Sequence, residues 1–131
     1  MKGQFDMGVP IFSQIVEQML SDIARGVLAP GAKVAPVRVL AAEYKVNPNT
    51  MQKSLEKLGD MGYLYTERTS GRFVTTDTEK IAALRDEIPK KMTADYVGEM
   101  LNFGIPPDDV IKHVKNKLTE RNEQNEQNIG N

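Results

Sequence analysis

Cysteine is absent from the 131 residues and histidine occurs once, at His113. Without thiols the chain has no disulfide, no thiolate metal site and no cysteine nucleophile, and a single imidazole does not make a metal centre. Asp108 and Asp109 are adjacent, but acid at that point is better read as the first turn of a helix than as a hard-cation site. Gly-rich phosphate loops and paired acids in a cleft are also missing, so no metal, no cofactor and no enzymatic activity are expected. No apolar run approaches the length of a transmembrane helix. The N-terminus lacks the basic-then-apolar order of a secretory signal, and the expected location is the cytoplasm.

What is present suits a small globular protein: 40% hydrophobic and 27% charged residues in a length that supports one domain and a small appendage. The net charge of −1 hides a gradient. Residues 1–75 carry nine Lys and Arg against seven Asp and Glu, whereas residues 76–131 carry eight against eleven. A weakly basic front half is compatible with contact to a polyanion at one end of the molecule.

Apolar periodicity predicts most of the chain as helix. Ile11, Phe12, Ile15, Met19, Leu20 and Ile23 form a stripe over about residues 10–25, with Pro10 at its start and Gly26 past its end. Leu28 to Gly31 reads as a turn and Lys33-Val34 as a short strand. A second helix runs from Pro36 through Val37, Leu40 and Ala41 to Tyr44.

The stretch Val46-Asn47-Pro48-Asn49-Thr50-Met51-Gln52-Lys53 then writes a helix start. Asn47 can accept from orphan backbone N–H groups, and Pro48 suits the first helical position, where no N–H is required. Met51, Leu55 and Leu58 recur at i, i+4 and i+7, which leaves Asn49, Thr50, Gln52 and Lys53 mostly off the apolar face. Two short helices in tight succession, the second with a polar exposed start, make a helix-turn-helix.

Residues 63–67 and 72–75 are β-prone around a turn at Thr69-Ser70-Gly71, so a hairpin follows. Alternation assigns Tyr63, Tyr65 and Phe73 to the core rather than to base stacking. Beyond it, Ile81, Leu84, Ile88, Met92, Tyr96, Met100 and Phe103 keep helical spacing over 78–103, with a kink or interruption expected at Pro89. After a turn at Gly104-Ile105-Pro106-Pro107, Val110, Ile111, Val114 and Leu118 mark a last helix ending near Glu120. From Arg121 the chain is rich in Asn, Gln and Glu and is expected to fray.

The ordered set Pro10 to Ile15, Gly26 to Gly31, Val37 to Ala41, Val46 to Thr50 and Gly71 to Val74 resembles the N-terminal domain of GntR-family transcriptional regulators. The short helical second half resembles the C-terminal module of the family's YtrA-like branch. The resemblance implies a mainly α fold with a small β-hairpin: a winged helix-turn-helix domain over 1–76 and a two-helix dimerisation module over 77–120, followed by the polar tail over 121–131 that its composition marks as disordered. It puts Arg38 opposite a base edge, Asn47, Asn49, Thr50, Gln52 and Lys53 on the recognition helix, and Arg68, Thr69, Ser70, Gly71 and Arg72 at the wing. Two departures stand out. The family's Pro-Ser pair and its Glu, which build a capping box, are replaced by Ala35, Pro36 and Val39, so Pro36 must set the helix start. The wing's usual Arg-Gly is Arg68-Thr69; Thr does not take a positive φ readily, so Arg72 is the stronger wing contact.

The function expected is a sequence-specific regulator of transcription, a homodimeric repressor on a palindromic operator. One winged helix covers little DNA, and the stripe beyond residue 78 exceeds what a 75-residue domain can cover. The dimer face is expected at Ile81, Leu84, Ile88, Met92, Tyr96, Met100, Phe103, Val110, Ile111 and Val114. The alternative is a winged-helix protein-interaction module that does not bind DNA, which would more often carry apolar residues at positions 49, 52 and 53. The C-terminal module leaves little room for a buried metabolite pocket, and the sequence names no effector.

Overall fold

Seven elements follow in the order that the periodicity predicts: α1 (Ile11–Ala24), α2 (Val37–Tyr44), α3 (Pro48–Asp60), β1 (Leu64–Glu67), β2 (Gly71–Val74), α4 (Thr78–Asn102) and α5 (Pro107–Ile129). The structure is a computed structural model and describes residues 9–129. The expected domain limits at residues 1 and 131 lie outside the described residues. The chain forms two compact units, the first ending at Ile88 and the second beginning at Pro89.

In the first unit α3 packs against α1, α2 and β1. The apolar stripes converge there: Ile15, Met19 and Ile23 from α1, Leu40 and Tyr44 from α2, Met51, Leu55 and Leu58 from α3, with Leu64 and Val74 from the hairpin. Each of these large side chains contributes about 1.5–3 kcal/mol by leaving water, so the stripes rather than helix propensity hold the unit together. Ser54, fully buried in this core, donates to the Thr50 carbonyl at 2.9 Å and reaches the Phe12 carbonyl at 3.3 Å, tying α3 to α1.

Helix ends follow local chemistry. Asn47 is extended at φ −62°, ψ 137°, and its side chain accepts from the Asn49 N–H at 2.8 Å, with Pro48 at the first helical position. Pro10 and Pro36 open α1 and α2 with no side-chain cap, which at α2 agrees with the lost capping box. At the far end of α3, Tyr63 N–H donates to the Leu58 carbonyl and Gly62 N–H to the Gly59 carbonyl, a Schellman pair that needs Gly62 at φ +84°. Lys45 closes α2 in the left-handed region at φ 57°, the one non-glycine among the described residues with a positive φ. Its conformation costs roughly 1–2 kcal/mol and sets the turn between α2 and α3.

β1 and β2 pair antiparallel with Leu64 opposite Val74, Tyr65 opposite Phe73, Thr66 opposite Arg72 and Glu67 opposite Gly71. Arg68, Thr69 and Ser70 form the loop. The positive φ that the tip needs falls on Gly71 at +110°, which relieves Thr69 of it. The segment before α2 runs along the other edge of β2: Val34 N–H donates to the Arg72 carbonyl and Val74 N–H to the Ala32 carbonyl, both at 2.9 Å, with one bridge between Lys33 and Phe73.

Three expectations need correction. Tyr65 is 41% exposed and stacks on the half-buried Phe73, ring centroids 5.6 Å apart, so this pair lies outside the core while the half-buried Tyr63 packs on it. A two-stranded hairpin has one face against the body and one to solvent, and these two rings take the latter. Of the kink or interruption expected at Pro89, the interruption does not occur: α4 is one helix through Pro89, whose carbonyl accepts from Thr93 Oγ1 at 2.8 Å. α5 continues as helix through 121–129 instead of fraying after Glu120. Asn, Gln and Glu do not break a helix, and neither Gly nor Pro occurs from Asp108 until Gly130.

Candidate nucleic-acid interface

α2 buries Leu40, Ala41 and Tyr44 and thereby leaves Arg38 and Val39 exposed on its opposite face. Arg38 makes no hydrogen bond or ion pair among the described residues, so its five donors remain for a ligand. α3 buries Met51, Ser54, Leu55 and Leu58, which leaves Asn47, Asn49 and Lys53 exposed and Thr50 and Gln52 half-buried. The helix therefore offers polar groups and its positive N-terminal end on one side.

Two of these side chains have partners of their own. The Lys53 ammonium lies 4.1 Å from the centroid of the Phe12 ring, which braces it across from α1. Gln52 Nε2 donates to Glu56 Oε1 at 2.9 Å, one helical turn along. Arg68, Thr69, Ser70 and Gly71 are exposed at the hairpin tip, and Arg72 is half-buried. A groove of about 430 Å³ separates the hairpin from α3, lined by Leu55, Glu56, Gly59, Asp60, Leu64, Tyr65, Thr66 and Arg72. The structure thus brings Arg72 to the same groove as the flank of α3, whereas the tip residues stand clear of it.

Two residues of this region escape a reading of the sequence. Lys33 is exposed, pairs with Phe73 across the strand edge, and lies with its Cε about 3.4 Å from where a side chain at Gly71 would begin. It adds a cation along the outer edge of β2 from a segment 38 residues before Gly71, and only the predicted Lys33-Val34 strand signals that placement. Glu56 is the second, and its i+4 spacing from Gln52 is the signal that points to it.

Behind the surface sits a polar cluster. Asp22, mostly buried, accepts from Gln18 Nε2 at 3.1 Å and from Arg25 at 3.2 Å. Burial first, then the charges of Asp22 and Glu43, pushes the Tyr44 hydroxyl up to about 12. Tyr44 is thus a neutral structural hydroxyl over the whole physiological range. No group of three His, Asp or Glu able to hold a metal occurs among the described residues, and no helix there is long and apolar enough to cross a membrane.

The candidate dimer residues divide. Ile81 and Leu84 pack against the core of the first unit, and Val110 is buried within its own chain, so these three serve the monomer's packing and not an open face. Ile88 and Met100 are half-buried. Met92, Tyr96, Phe103, Ile111 and Val114 are exposed, Phe103 at 86%, as are Leu101 and Leu118 nearby in sequence.

Residues 12–74 match the model for bacterial regulatory proteins of the gntR family. The chain is 30% identical over 115 residues to the uncharacterized HTH-type transcriptional regulator YhcF of Bacillus subtilis, an alignment spanning 88% of this chain and 95% of that one. It is 34% identical over 96 residues to the HTH-type transcriptional repressor YtrA of the same organism, spanning 68% and 74%. Among solved structures, a GntR family transcriptional regulator from Listeria monocytogenes superposes with a TM-score of 0.75 at 35% identity, covering 86% of this chain and 98% of that one. The DNA-binding domain of AraR in complex with operator ORX1 gives 0.50 at 26% identity, covering 57% and 92%. Residues 12–74 run from α1 through β2, so the helix-turn-helix and its hairpin fall within the match: the chain is a member of the GntR family of bacterial regulatory proteins, a helix-turn-helix DNA-binding transcriptional regulator.

Proposed function

We propose that the protein is a homodimeric repressor that occludes a promoter by binding a palindromic operator. Arg38, the start of α3 and the wing around Arg72 read each half-site. The observation that carries this reading is the polar set Asn47, Asn49, Thr50, Gln52 and Lys53 held outward over a fully buried apolar face. Asn or Gln pairs with adenine, an Arg fork holds guanine O6 and N7, and Thr50 with the helix N-terminus suits phosphate oxygens. The same polarity at positions 49, 52 and 53 disfavours a protein partner in place of DNA. Arg68, Thr69, Ser70, Gly71 and Arg72 supply the wing, with Arg72 the strongest contact, and Lys33 joins them as a phosphate contact.

Repression is supported by the name of YtrA, and operator binding by the AraR complex. The exposed apolar residues of the second unit support a second copy as partner, centred on Met92, Tyr96, Phe103, Ile111 and Val114, with the half-buried Met100 of that unit and the half-buried Ile88, the last residue of the first unit, as further candidates. In this reading the protein acts in the cytoplasm by binding alone, with no catalytic step. Recovery of bound duplexes from a random pool tests it: a palindromic consensus, bound more weakly as salt rises, is expected. Binding without a consensus, or without salt dependence, would overturn it.

A further inference from the structure

We propose that Glu56 is a positioning residue that decides which base Gln52 reads; this rests on the proposal that α3 lies in the major groove. Gln52 and Glu56 stand one turn apart on the flank of α3 that the buried Met51, Leu55 and Leu58 leave open. The Gln52 amide donates one of its two N–H groups to Glu56 Oε1 at 2.9 Å. Turning the amide over would bring its carbonyl against the carboxylate, two acceptors facing each other, so Glu56 selects one of the two amide orientations. Glu56 has no cationic partner among the described residues. A carboxylate on a helix that meets a polyanion weakens phosphate binding, so its contribution lies in orientation and not attraction.

The selected orientation leaves Gln52 with one carbonyl acceptor and one N–H donor. That pair matches adenine, which presents an N6 donor beside an N7 acceptor. Guanine presents two acceptors, O6 and N7, and asks for two donors, of which Glu56 has already taken one. Glu56 therefore favours adenine over guanine at the base pair that Gln52 faces, without touching the base. Glu56 also lines the groove between α3 and the hairpin, together with Asp60 and Arg72.

The test uses the full chain and the duplex consensus recovered from the random pool, with A·T exchanged for G·C at each position in turn. The position that Gln52 reads is the one where Gln52→Ala brings the preference to within about twofold. There the wild type should prefer A·T by about tenfold, Glu56→Ala should lower that preference at least threefold, and Glu56→Gln, whose amide donates as well as accepts and so selects neither orientation of Gln52, should lower it as well. Preferences at other positions should stay, and Glu56→Ala should change nothing further in the Gln52→Ala background. Thermal unfolding of each variant excludes loss of fold, which is not expected at an exposed residue. An unchanged preference in Glu56→Ala, or a Glu56→Gln that keeps the wild-type preference, overturns this inference alone. A wild type that yields no consensus overturns it together with the DNA-reading proposal.

Discussion

Asn47 has two separable duties, and substitutions can divide them. Its side chain caps α3 by accepting from the Asn49 N–H at 2.8 Å, and it stands exposed where α3 would meet DNA. Asn47→Ala removes the acceptor and leaves an orphan donor at the helix start, at a cost of about 1 kcal/mol within a range of roughly 0.5–2. Pro48 persists at the first helical position and limits the damage, so the loss should sit near the centre of that range. For a domain of this size that is about 4 °C in Tm. Asn47→Asp keeps an acceptor and adds a charge that the helix dipole welcomes, so its stability should equal or slightly exceed that of the wild type. The same charge faces phosphate, and its affinity for the selected duplex should fall by about tenfold or more. Scanning calorimetry and fluorescence anisotropy on the three proteins separate the effects. If Asn47→Asp unfolds as early as Asn47→Ala, the cap is wrong; if it binds DNA like the wild type, the placement of Asn47 at the interface is wrong.

Leu58, fully buried among α1, α3 and the hairpin core, should cost about 2–5 kcal/mol as Leu58→Ala, read by urea unfolding. Tyr44, raised from 10.0 to about 12 by burial and by Asp22 and Glu43, adds stability that is fully present below pH 10 and declines as pH climbs toward 12. The loss amounts to roughly 2–3 kcal/mol, and Tyr44→Phe should remove that part of the alkaline decline in unfolding experiments. Lys33→Ala should lower the slope of log affinity against log salt by about 0.9, the share of one phosphate, with base preferences unchanged. Phe103→Glu and Ile111→Glu, at positions 86% and 55% exposed, should convert a dimer to a monomer in analytical ultracentrifugation while the first unit stays folded; a monomeric wild type would contradict the proposed partner.

The local grammar of helix starts made most of the fold legible. Pro10, Pro36 and the Asn47-Pro48 pair mark three helix entrances, and the spacing of Met51, Leu55 and Leu58 shows which face of α3 turns inward. Properties that depend on partners distant in sequence were not legible. Lys33 belongs to the wing because its segment pairs with β2, and no local pattern around Lys33 states which strand it will meet. Tyr65 and Phe73 look like core by alternation, yet a hairpin with a single packed face has nowhere else to put its outward pair. The continuation of α5 past Glu120 was hidden because a polar composition suggests disorder, whereas helix propagation requires only the absence of breakers. Ile81 and Leu84 illustrate the same limit: periodicity shows that a face is apolar, not whether its own chain or a second copy covers it.

The central claim is that Arg38, the start of α3 and the wing form one surface that reads DNA, and Arg38 tests it most directly because nothing else in the described protein occupies its guanidinium. Equilibrium affinity of Arg38→Ala for the selected duplex, at the salt concentration used for the wild type, is the measurement. Loss of a bidentate base contact predicts a decrease of about 1–3 kcal/mol, roughly 5- to 150-fold, with an unchanged Tm. An affinity within about twofold of the wild type, in a protein that unfolds normally, would contradict the account.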